Sequence, residues 1–98
     1  MAIAVIKADR RWFITCARAF HDQPRLQREL TRAADRQSLT GSFTAAEARL
    51  MAGRRPDDPR LQEAVRAVEV AEISERERSR ALHARMDRYR SEGTWRKP

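Results

Sequence analysis

Between Pro59 and Gly93 the chain contains neither glycine nor proline. This uninterrupted stretch, opened by Asp58-Pro59, predicts one helix of roughly 33 residues, ~50 Å long at 1.5 Å per residue. In a chain of 98 residues such a rod constrains everything else. The remaining residues can build only a small core, which covers one part of the rod and leaves the other bare. Hydrophobic residues make up 41% of the chain, but sixteen of them are alanine, so that core must be thin.

Ahead of the rod, Pro24, Gly41, Gly53 and Pro56 divide the chain into three shorter segments. The expectation is an all-α fold, a small helical bundle with three shorter helices packed on the first half of a long C-terminal helix. One domain spans 1–98: a basic helical module at 1–56, the long helix at 57–92 and a tail at 93–98. In the first segment, at about 2–21, Ile6, Phe13, Cys16, Ala17 and Phe20 share one helical arc, with Lys7, Arg11 and Arg18 opposite. A second reading makes Ile3 to Ile6 a short strand, with Asp9 capping a shorter helix. A strand alone there calls for a partner from a second chain.

In the second segment Pro24 takes the first helical position, where its missing N–H costs nothing. Leu26, Leu30, Ala33 and Ala34 form its apolar face, and Gly41 lies just past its end as a C-cap glycine would. Thr44 and Glu47 have the spacing of a capping box for the third. The expected core contributions are Phe13 and Phe20 from the first helix and Leu50 and Met51 from the third. In the long helix Leu61, Val65, Val68, Leu82, Met86 and Tyr89 keep to one stripe, interrupted by the polar run from Ser74 to Arg80.

Several function classes find no support. No run of ~18 apolar residues predicts a membrane span, and the apolar start at 1–8 is short, with its basic residues after it rather than before. Cys16 is the only cysteine, which excludes an intrachain disulfide and suits a reducing cytoplasm. His21 and His83 stand far apart, and no HExxH, CxxC, GxGxxG or phosphate-loop pattern occurs. No catalytic residue, cofactor or metal is expected.

The charge is more informative. The net charge is +7, carried mostly by arginine, whose planar fork binds phosphate or carboxylate bidentately. Arg25, Arg28, Arg32 and Arg36 fall in one narrow helical arc opposite Leu26 and Leu30. They span ~16 Å, the reach of a few successive phosphates. With Lys7, Arg11 and Arg18 they make the candidate nucleic-acid-binding set, suited to DNA or RNA backbone alike. The function expected is non-enzymatic association with nucleic acid, as a subunit or accessory of a larger nucleoprotein assembly. The alternative is an interaction adaptor or inhibitor that presents the long helix.

Residues 1–55 balance to +6, residues 56–77 to −4 and residues 78–98 to +5. The long helix is thus acidic first and basic last, which suits antiparallel pairing of two copies. Leu82, Met86, Tyr89 and Trp95 are the candidate interaction residues, for another copy or for a larger complex.

Overall fold

The computed structural model describes residues 2–92. Their order is β1 (Ile3–Lys7), α1 (Arg10–Ala19), α2 (Pro24–Asp35), β2 (Thr40–Thr44), α3 (Ala45–Arg54) and α4 (Pro59–Ser91). The fold is mostly helical but not all-α. β1 and β2 pair antiparallel, from Ile3 opposite Thr44 to Lys7 opposite Thr40. The expected helix over 2–21 therefore gives way to its alternative. Asp9 caps a shorter helix by accepting the Trp12 N–H at 2.8 Å. The partner strand comes from the same chain, so no second chain is needed to complete this pair.

The physical reason lies in side-chain direction. Ile3, Val5 and Ile6 are β-branched and favour a pleated surface. In β1 Ala4 and Ile6 point into the core, while Ile3, Val5 and Lys7 point out. In β2 Gly41 and Phe43 point in, and Thr40 and Ser42 flank them. Gly41 is thus a strand residue, not a C-cap. Its missing side chain admits the Phe43 ring: a Cβ there would lie 2.6 Å from Phe43 Cε2 and 3.1 Å from Ala33 Cβ. α2 ends earlier than expected, with Arg36 as its extended C-cap, and Leu39 turns the chain at a positive φ of 47°.

The packing also differs from three helices on one rod. α1 packs on α2, α2 on β2, and α4 on α3 and β1. The sheet, not the long helix, joins the two helical pairs. Phe13, Phe20, Leu30, Phe43, Met51, Leu61 and Val68 are fully buried, each contributing ~1.5–3 kcal/mol by leaving water. Leu50, expected in the core, is half-buried and packs against it.

The capping box forms as its spacing predicts. Glu47 N donates to Thr44 Oγ1 at 3.1 Å, and Thr44 N donates to Glu47 Oε1 at 3.0 Å. Asp58 caps α4, with Pro59 at its start. Val68 is the last fully buried residue of that helix, and Ala71 the last packed against the core. Beyond it the rod projects, giving extents of 60 × 28 × 24 Å and a radius of gyration of 19.1 Å. A compact chain of this length has a radius near ~13 Å. No helix among the described residues is long and apolar enough to cross a membrane.

Filling the space at Gly41 tests this account of the sheet. Gly41→Ala forces the buried Phe43 ring to move and should lower stability by about 1–3 kcal/mol in urea denaturation. An unchanged urea midpoint would mean that the ring does not need the space.

Candidate nucleic-acid interface

Burial of Leu26, Leu30, Ala33 and Ala34 fixes the rotation of α2 and turns Arg25, Arg28 and Arg32 into solvent. Arg36 is exposed too, but it follows the helix as its C-cap and leaves the helical arc of the other three. Glu29 accepts a hydrogen bond from Arg32 at 3.0 Å. Such an exposed pair contributes little and holds the guanidinium weakly. Arg11 and Arg18 are exposed on α1. Lys7, expected on the same helical face, lies instead at the end of β1, on the outer side of the sheet.

The structure assembles a second polar corner that no sequence spacing announces. Trp12 Nε1 donates to Asp58 Oδ2 at 2.9 Å, joining α1 to the cap of α4. Arg55 lies 3.4 Å from the same carboxylate, and its guanidinium stands 5.6 Å from the Trp12 ring centre. Arg60 approaches that ring as well, at 5.9 Å. Arg55 also donates to Cys16 Sγ. Burial pushes the Cys16 thiol above its ordinary value, against the pull of the nearby Arg55 charge. A buried thiol kept protonated is a poor nucleophile. The corner opens on a shallow groove of about 790 Å³, lined by residues that include Arg11, Arg54 and Arg60.

Arg54 makes a bidentate pair with Asp22, both bonds at 2.7 Å. It ties the turn between α1 and α2 to the end of α3. The Arg54 hydrogen bonds lower the Asp22 carboxyl to about 2, and Asp22 in turn raises Arg54. His21 and His83 are exposed, and no group of three metal-ligating side chains forms among the described residues.

On the projecting part of α4, Leu82 and Tyr89 are 53% and 45% exposed, and Met86 is half-buried. The stripe they continue is closed at its other end, because Leu61, Ala64 and Val68 are buried within the chain. On the same acidic half, off that stripe, Val70 and Ile73 are 64% and 52% exposed. Trp95, the remaining candidate, lies outside the described residues. In comparisons with known proteins, no family model, curated protein or solved structure matches the chain.

The Asp22–Arg54 pair has a pH signature. Because folding lowers the Asp22 pKa, its contribution is complete above the ordinary carboxylate value and is lost as pH falls toward about 2. Asp22→Asn should lower the thermal midpoint at neutral pH. It should also flatten the midpoint's fall with acid between the ordinary value of 3.8 and about 2. Parallel acid profiles for the two proteins would show that the pair carries no stability.

Proposed function

We propose that the protein associates with nucleic acid without catalysis, holding the phosphate backbone through the outward face of α2. The observation that carries this reading is the fixed exposure of Arg25, Arg28 and Arg32 over a buried apolar face, with Arg36 following. Glu29 and the exposed Asp35 flank that face with opposite charge, and Glu29 pairs with Arg32. Guanidinium forks bind phosphate oxygens in pairs, and a short row of them tracks a charged backbone without reading bases. Arg11, Arg18 and Lys7 extend the cationic surface onto α1 and β1. The reading carries no preference between DNA and RNA. It places the protein in the cytoplasm, where a lone reduced cysteine is ordinary, and within a larger nucleoprotein assembly.

A second reading rests on the projecting rod. Leu82 and Tyr89 expose apolar surface on a helix that no part of its own core covers. An adaptor presents such a face to a partner protein. The two readings separate in a salt titration. Phosphate binding weakens steeply as salt rises, because counterions are released on binding.

Among the described residues Arg25, Arg28 and Arg36 form no ion pair, so replacing all three by alanine should leave the fold intact. Binding to random-sequence duplex should weaken, and the slope of log affinity against log salt should fall by roughly 3. An unchanged affinity and slope would show that these arginines are only a solvated face. No binding by the wild type at low salt would leave the adaptor reading alone.

A further inference from the structure

We propose that β1 is the docking edge for a second copy of this chain, the two β1 strands pairing antiparallel about Val5 into a four-stranded sheet. The hydrogen-bond pattern leads to this. Ala8 N donates to Leu39 O at 3.2 Å, and these residues stand opposite each other in the register of the two strands. A direct bond between opposed residues marks the hydrogen-bonded class of antiparallel pair, and the classes alternate. Ile6 with Gly41 and Ala4 with Phe43 therefore belong to the bonded class. Ile3, Val5 and Lys7 belong to the other, so their N–H and C=O groups point away from β2. Among the described residues, nothing outside the strand pair donates to these groups or accepts from them.

The side chains on this edge are as open as its backbone. Ile3 and Val5 are 57% and 58% exposed. Edge strands are ordinarily protected by charge, proline, a bulge or a covering element. β1 carries only Lys7, at its end, and no proline. α4 packs on β1 without sealing it. A groove of about 300 Å³ remains between Val5, Ile6 and Lys7 on one side and Arg60, Glu63, Ala64 and Ala67 on the other. The small side chains of Ala64 and Ala67 leave that space.

What selects a second copy is the self-complementarity of the strand. A two-fold axis through Val5 sets Val5 against Val5 of the second copy and Ile3 against its Lys7 on the outer face. On the inner face it sets Ala4 against Ile6, so no charge is buried. About six main-chain hydrogen bonds form, two for each facing pair. The two Lys7 residues lie four strand rises apart, ~14 Å at ~3.4 Å per residue. That exceeds the ~8 Å screening length at physiological ionic strength. A parallel arrangement would set Lys7 directly beside Lys7. The projecting rods, as helices, have no such row of open main-chain groups, and their six arginines over 72–92 are nearly balanced by Glu72, Glu75, Glu77, Asp87 and Glu92.

Sedimentation equilibrium of the full chain tests the proposal. The wild type should form a dimer, with amide exchange at Ile3, Val5 and Lys7 slowing as concentration rises. Val5→Lys places two cations on the axis and should weaken the dimer at least about tenfold, with an unchanged circular dichroism spectrum. Val5→Pro removes only an N–H that points away from β2 and should do the same. Val5→Thr, similar in shape and β-branched, should retain the dimer. A wild type that remains monomeric at millimolar concentration overturns the proposal. So does a dimer that survives both Val5→Lys and Val5→Pro but is lost in the double variant Leu82→Lys, Met86→Lys. Nucleic-acid binding through α2 is read separately by the salt titration, so either result stands without the other.

Discussion

The pairing of β1 with β2 is the contact on which the rest of the architecture depends. It joins residues more than thirty positions apart and closes the α1–α2 hairpin into a loop with fixed ends. Such closure costs chain entropy, which grows slowly with loop length, and the buried side chains of both strands offset it. Ile6 and Phe43 supply that burial, with Gly41 giving the Phe43 ring room to lie flat along its own strand. Because β1 also packs on α4 and β2 on α2, the pair couples the two helical layers, which the Trp12–Asp58, Arg55–Cys16 and Arg54–Asp22 contacts also tie together. A two-stranded sheet is marginal by itself. Here helices on its inner face sustain it, and its outer face remains open to solvent.

Coverage of α4 divides the molecule into two physical regimes. Up to Ala71 the helix is held by burial against α3 and β1. Past that point it is a rod in water, where helix formation relies on propensity and charge pairing. The freedom from glycine and proline that makes a long helix possible therefore also creates a surface that the core of the described residues does not cover. The resulting exposure of Leu82 and Tyr89 follows from rod length against core size, not from a defect in packing.

The cationic surface is organised by the same core. Burial of Leu26 and Leu30 points the α2 arginines outward, while tertiary contacts occupy others of the same residue type. Arg49 binds Glu72 at 2.8 Å, Arg54 binds Asp22, and Arg55 is held between Trp12, Cys16 and Asp58. Arginine content alone thus overstates the surface available to an anionic partner. Those of α3 and its following turn pin elements together, and those of α2 stay exposed to solvent.

Features encoded by near neighbours were legible in the chain itself. The Asp58-Pro59 start of α4, the Thr44–Glu47 capping box, the apolar face of α2 and the outward set of its arginines each depend on residues within about one helical turn. β1 was not legible in the same way. Apolar side chains at Ile3, Val5 and Ile6 show no clean alternation, and Ile6 falls by chance on the helical arc of Phe13. What decides the strand is β2, far along the chain, together with the core that buries only Ala4 and Ile6. The place of Lys7 follows from that decision. The Trp12–Asp58 bond spans 46 positions and has no local trace. Local spacing determined where helices begin, end and face. Tertiary structure decided which strand pairs with which, which arginines are spent on the fold and how much of α4 stays bare, because those depend on contacts between residues that only the folded chain brings together.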